Sequence, residues 1–178
     1  MNNEELYLEI KEAQESQLDF LVTQFSPDNP KFQYNRFAVQ KRGEGLYMIA
    51  WHNNAPVGHF LLRWSGPHVE SVTKLVDISH SAFLEAGLTI DEYRRKGVAT
   101  AIIKEAERLA KERKCTSIGL EVGISNAEAK RLYQKLGYID WGHGEFLISW
   151  EYEDEYGNTG IETEVVIYMQ KELILAIK

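Results

Sequence analysis

Cysteine is almost missing from this chain: of 178 residues only Cys115 carries a thiol. A single cysteine excludes an internal disulfide and any cysteine-built metal site, and it fits a reducing compartment. No apolar run approaches the roughly 20 residues that span a bilayer. The N-terminal MNNEELYLEIKEAQ is acidic and polar, without a basic-then-apolar signal region. A soluble, cytoplasmic protein with no membrane partner is expected. Cations are also scarce, with 20 Lys and Arg against 27 Asp and Glu and a formal net charge of -7. Broad attraction to nucleic acid is therefore disfavoured, and any cationic surface must be local. The five histidines, His52, His59, His68, His80 and His143, show no HxxxH or HExxH spacing, so no metal is expected.

What is present reads as one globular domain over 1–178, with 44% hydrophobic and 26% charged residues, and no repeat or low-complexity linker. Alternation predicts a strand at 6–10, and Leu18, Leu21, Val22 and Phe25 mark one face of a helix over 14–25. SPDNP (26–30) ends it, and a second helix follows with Phe32, Phe37 and Val39. Two apolar runs around His52–Ala55 predict a hairpin. The polar stretch 65–81 is expected to be a long functional loop. A strand at 82–90, a helix to about Arg113, a strand SIGLEVG, a helix Asn126–Leu136 and a final hairpin (146–152 and 161–170, turned by YGNTG) complete the pattern. The fold class is α/β (α+β), with a mixed, largely antiparallel central sheet of about seven strands flanked by helices.

The stretch YRRKGVATAII (93–103) sets three cations in a row at the start of a helix, where the dipole's positive end makes them the wrong charge. An anion there would resolve the conflict, because a tight glycine turn into a helix aims several free backbone N–H groups at one place. Gly97 permits close approach of the backbone and Ala99 keeps the next position small. Neither GxxxxGK[ST] nor GxGxxG occurs, so the common nucleotide loops are excluded. Taken alone, the pattern Arg-x-x-Gly-x-Ala equally suits a solvated basic turn.

A second segment, LEVGISNAEAKRLYQKLGY (120–138), follows at a suitable distance. Together the two resemble the GCN5-related N-acetyltransferase (GNAT) family, whose Arg/Gln-x-x-Gly-x-Gly/Ala loop matches Arg94, Gly97 and Ala99. The family's Asn…Ala…Tyr…Gly-Phe helix matches Asn126, Ala129, Tyr133, Gly137 and Tyr138. The resemblance implies acetyl-CoA as co-substrate, with its pyrophosphate held over Arg94, Arg95, Lys96, Gly97, Val98, Ala99 and Thr100. It also implies that the backbone of Gly87, Leu88 and Thr89 pairs with the pantetheine arm like an added strand. Where the family commonly has Val and Pro, this chain has Thr89 and Asp91.

Acetylating an amine has a stated cost. With a pKa near 10.4, about one primary amine in 2,500 is neutral at pH 7, and reaching that form costs about 4.6 kcal/mol. The chemistry wants a base for the amine and an acid for the departing thiolate. Tyr133 lies on the stripe Ala129, Leu132, Tyr133, Leu136, a position that equally suits a core aromatic. The resemblance sets it beside the thioester sulfur as the acid. Glu121 and Glu85 each interrupt an apolar strand and are the candidate bases, directly or through water, although a lone Glu on a half-buried strand can equally face solvent. Glu121 stands five residues before Asn126, as does the glutamate proposed as base in the family's ribosomal-protein alanine acetyltransferases. Asn126 is expected to cap its helix, and by resemblance also to touch the pantetheine.

The expected acceptor is a small-molecule amine. A protein N-terminus or lysine is the close alternative, and a non-catalytic acyl-CoA sensor is the rival of another class. His68 and His80 could line the acceptor site or simply be exposed. Glu151, Glu153, Asp154, Glu155, Glu162 and Glu164 on the final hairpin suit a solvated strand end or a cation-collecting rim, with Trp141, Trp150, Tyr152 and Tyr156 close in sequence. The hairpin's free edge is a candidate homodimer contact.

Overall fold

In the computed structural model, which describes residues 6–153 and 156–174, strands and helices alternate along the chain. The strands are β1 (Glu9–Glu12), β2 (Gly45–His52), β3 (Ala55–Arg63), β4 (Ser81–Thr89), β5 (Ser117–Gly123), β6 (Ile139–Asp140), β7 (Phe146–Glu153) and β8 (Thr159–Glu172). The helices are α1 (Leu18–Phe25), α2 (Lys31–Lys41), α3 (Glu70–Thr73), α4 (Val98–Glu112) and α5 (Ala127–Lys135). The sheet order is β1-β2-β3-β4-β5-β8-β6, with β7 paired to β8. The β4–β5 pair is parallel, whereas β1–β2 and every pairing of β8 are antiparallel. This is the expected mixed, largely antiparallel sheet. Its additional strand is β6, two residues that pair Ile139 with Gln170 and are too short to show alternation. Among the described residues no helix is long and apolar enough to cross a membrane.

Backbone contacts divide the chain into two compact units, Met1–Leu62 with Ala86–Ala106, and Arg63–Glu85 with Glu107–Lys178. In the first, Leu18 and Leu21 of α1 and Phe37 and Val39 of α2 pack on Tyr47, Ile49 and Leu61 of the β2–β3 hairpin. Full burial of such a side chain contributes roughly 1.5–3 kcal/mol. The hairpin turns at Asn53 (φ 48°) and Asn54 (φ 63°), the paired left-handed geometry that a two-residue type I′ turn requires. The helix expected over 14–25 begins as a 3-10 turn at Glu15–Gln17 and becomes α1 only at Leu18.

In the second unit, Ser81–Leu84 of β4 pair with Ser117–Leu120 of β5, and β8 pairs with the other edge of β5. Val72, Phe83 and Tyr168 form a buried cluster, against which Trp141 and Phe146 pack. Val72 belongs to α3, so the stretch 65–81 is a loop with one helical turn pinned to this cluster rather than a loop throughout. The strands β7 and β8 run in register from Phe146↔Val166 to Glu153↔Thr159. Asp154 and Glu155, expected in the acidic hairpin, lie outside the described residues.

Candidate active site

The loop before α4 has the backbone of an anion cradle. Arg95 is left-handed at φ 59° and Gly97 at φ 87°, and such alternation turns successive N–H groups to one side. A Cβ at Gly97 would meet no atom within 4 Å, so its backbone faces open space. The three cations are not equivalent. Arg94 is paired with Asp91 of its own loop at 3.0 Å, and Lys96 Nζ lies 5.2 Å from the Tyr93 ring centre. Arg95 is exposed, with no ion pair or hydrogen bond among the described residues. Val98 is buried at the helix start, while Ala99 and Thr100 are half-buried. This loop fits a pyrophosphate: open backbone amides, and a guanidinium with no other engagement.

The ladder to β5 stops at Leu84, although β4 runs on to Thr89 and β5 to Gly123. Two residues past the stop, Ala86 adopts a left-handed φ of 54°, and Gly87, Leu88 and Thr89 follow it. These are the residues expected to pair with an extended arm.

The two candidate bases have different surroundings. Arg63 Nε donates to Glu85 Oε1 at 2.7 Å, so that carboxylate is engaged. Glu121 sits directly opposite Tyr168 across the β5–β8 ladder. Its Oε1 is buried and has no hydrogen-bond partner. Burial, and then the charge of Glu85, push its carboxyl up to about 7. A carboxylate so shifted is poised to exchange a proton near neutrality.

Tyr133 is buried on α5, its ring centre 6.0 Å from that of Tyr138. Burial pushes its hydroxyl up to about 12. The helix is positioned at both ends. Asn126 Oδ1 accepts the Ala129 N–H at 3.1 Å, the expected cap. At the other end Gly137 turns left-handed at φ 90°, and the Tyr138 N–H reaches the Tyr133 carbonyl at 3.0 Å.

Sequence reading passed over Arg63, Tyr168 and Gly119. A Cβ at Gly119 would overlap the Tyr168 ring, so this glycine is what allows the tyrosine to lie where it does. Tyr168 had only its place in an apolar run as a signal. His68, His80 and His143 are exposed. On the hairpin, Trp150 pairs in register with Glu162 and Ile148 with Glu164, and the carboxyl of Glu164 lies over Gly123.

Solved structures that share this fold include N-acetyltransferases. The ribosomal-protein-S18-alanine N-acetyltransferase of Escherichia coli matches over 97% of each chain with a TM-score of 0.64 and 18% identity. A ribosomal-protein-alanine N-acetyltransferase from Brucella melitensis matches over 93% of this chain and 99% of its own, with a TM-score of 0.67 and 17% identity. The model of the Acetyltransferase (GNAT) family matches residues 7–138, and the chain belongs to that family. Among curated relatives, an N-alpha-acetyltransferase of Saccharolobus solfataricus is 30% identical over 116 residues, covering 63% of this chain and 66% of that protein. An aminoglycoside N(6')-acetyltransferase type 1 of Acinetobacter baumannii is 35% identical over 57 residues, covering 32% of this chain and 39% of that protein. The matches therefore span less than two thirds of the length of these relatives.

Proposed function

We propose that the chain is a cytoplasmic acetyl-CoA-dependent N-acetyltransferase that acetylates the primary amine of a small molecule by direct transfer. The observation that carries this reading is Glu121, a carboxylate with a buried, unpartnered oxygen and a proton affinity raised to about 7. Leaving such an oxygen unsatisfied costs roughly 1–3 kcal/mol, which a structural residue would not need. Acetyl-CoA, when bound, supplies the acetyl group as a reactive thioester. Arg95 and the backbone of Gly97 to Thr100 would hold its pyrophosphate, and the backbone of Gly87 to Thr89 its pantetheine, with Asn126 also in contact. Glu121 would take the proton of the incoming ammonium, so that the neutral amine can attack. Tyr133 would keep a proton ready for the sulfur as it leaves. Glu85, bound to Arg63, would shape the field around Glu121. A non-catalytic sensor would need the loop but neither Glu121 nor Tyr133.

A second acceptor class, the α-amino group of a protein N-terminus, is favoured by the longer of the two curated matches, to an N-alpha-acetyltransferase. A panel of polyamines, aminoglycosides and short peptides, scored by free-thiol release from acetyl-CoA, separates the two. Turnover confined to peptides overturns the small-molecule acceptor, and no coenzyme A binding by calorimetry overturns the whole reading. A homodimer through the β7–β8 hairpin is part of the proposal. Leu147, Val165 and Ile161 are 59%, 37% and 70% exposed on one hairpin face and support it, and light scattering tests it.

A further inference from the structure

Glu107, on α4, is 8% exposed and has no part in the chemistry above. A carboxylate taken so far from water needs a partner to stay charged. That partner is Lys171 of β8, whose Nζ donates to Glu107 Oε2 at 2.7 Å. The other oxygen, Oε1, is buried and has no hydrogen-bond partner, so this one bond holds the group. A buried ion pair is a poor source of stability, because desolvating two charges offsets most of their attraction. What such a pair can add is a fixed place for both side chains.

Lys171 is held where it meets the end of α5. Its Cε and Cδ lie 3.6 and 3.9 Å from where a Cβ of Gly137 would stand, so the aliphatic stem packs over this left-handed turn. Its Nζ lies 5.8 Å from the centre of the Tyr138 ring, within the range of a cation–π contact. Tyr138 is 2% exposed and is joined to Tyr133 twice. Its N–H donates to the Tyr133 carbonyl at 3.0 Å, and the two ring centres are 6.0 Å apart with planes inclined at 58°. The next residue, Ile139, pairs with Gln170, the neighbour of Lys171, which ties the turn to β8. Contacts thus run without a gap from Glu107 through Lys171 and Tyr138 to Tyr133.

We infer that Lys171 is a positioning residue for Tyr133: anchored by Glu107, it seats Gly137 and the Tyr138 ring, and these fix the direction in which the Tyr133 ring carries its hydroxyl. The inference rests on the proposed role of Tyr133 as the acid. A proton donor is effective only within hydrogen-bond reach of the atom it serves, so a small tilt of its ring is felt in the rate. Lys171 acts through packing and touches no reacting atom.

The test replaces both charges at once. Lys171→Met alone would leave Glu107 buried without a cation and weaken the fold, whereas Lys171→Met with Glu107→Met leaves no charge unpaired. The double variant should unfold in denaturant close to the wild-type midpoint. Its kcat should nevertheless fall by about tenfold, with the KM for acetyl-CoA within about twofold. An acetyl thioester of a more acidic thiol should recover most of that loss, and in a Tyr133→Phe background the two substitutions should lower kcat no further. A wild-type kcat in the double variant overturns the inference and leaves the pair a structural one. So does a loss that is equal with both thioesters, or one that adds in full to that of Tyr133→Phe. Where the double variant does not fold, Tyr138→Leu decides, since it keeps the pair and removes the ring through which Lys171 acts. It should show the same loss, dependent on the leaving group, and an unchanged kcat there overturns the inference. A Tyr133→Phe variant as fast as wild type overturns the parent reading of Tyr133 instead.

Discussion

Arg63 holds Glu85 through a single bond, Nε to Oε1 at 2.7 Å, on side chains that are 26% and 34% exposed. The pairing separates two carboxylates on adjacent strands into different roles. Glu85 has its cation, and Glu121 has none at its buried oxygen and feels Glu85 as a like charge. A buried carboxyl pushed up towards neutrality is the kind of group from which a base assignment is argued.

Glu121→Gln should lower kcat by about a hundredfold or more, and Glu85→Gln by less than about tenfold. The wild-type kcat/KM should climb as pH rises through about 7, where Glu121 loses its proton and becomes competent as a base. That limb should vanish in Glu121→Gln when rates are measured between about pH 5.5 and 8.5. Its persistence there would assign it to the acceptor amine and remove Glu121 from the chemistry.

The same group makes a stability prediction with a definite sign. Glu121 binds its proton more tightly folded than unfolded, because its carboxyl rises from 4.5 to about 7. The native state therefore holds more protons between those values, and stability falls as pH increases through that window. Above about pH 7 the charged, buried carboxylate is a net cost, so Glu121→Gln should stabilise the fold there by about 2 kcal/mol. Denaturant unfolding at about pH 5 and about pH 8 should give a smaller difference between wild type and variant at the lower pH. A variant that is less stable at both values would mean that Glu121 has a partner in solution.

The cations of the loop should differ in weight. Arg94 is committed to Asp91, so Arg94→Ala removes an exposed pair worth roughly 0–1 kcal/mol and frees a carboxylate near the phosphate. Arg95 has no such commitment, and Arg95→Ala should weaken coenzyme A binding by about tenfold, more than Arg94→Ala does. Calorimetry at low and high salt checks this, since the Arg95 contribution should shrink as salt screens it. Equal losses at both positions would mean that the Arg94–Asp91 pair opens on binding.

How much of this was legible in the sequence depends on the distance over which each feature is set. The cap at Asn126, the stripe bearing Tyr133 and the glycine turn before α4 are decided within one or two helical turns, and all were readable locally. The Arg63–Glu85 bond joins residues 22 apart, and it exists only because β3 and β4 are neighbours in the sheet. The proton affinity of Glu121 depends on its burial and on the charge of Glu85, 36 residues away in sequence, which only the folded sheet brings to bear. Strand alternation could say that Glu121 lay on one face, but not what that face met. Arg94 differs again: its partner Asp91 is only three residues away, but a run of three cations does not by itself single out which of them is paired. The helical turn α3 escaped because one buried valine in four residues has no period to detect.

Tyr133 offers the sharpest separation of packing from chemistry. Its ring is buried against Tyr138, and Tyr133→Phe keeps that contact while removing only the hydroxyl. Because burial holds the hydroxyl near 12, it stays protonated throughout the working range and should add no alkaline limb below about pH 11. Its proton matters only as the sulfur departs, so Tyr133→Phe should lower kcat by about a hundredfold, with coenzyme A affinity within about twofold. The discriminating measurement is a change of leaving group. An acetyl thioester of a more acidic thiol needs less help from a proton donor, so it should recover a large part of the lost rate in Tyr133→Phe and gain little in wild type. A variant equally slow with both thioesters would place the defect before the carbon–sulfur bond breaks, and Tyr133 would then be a positioning residue of α5 rather than the acid.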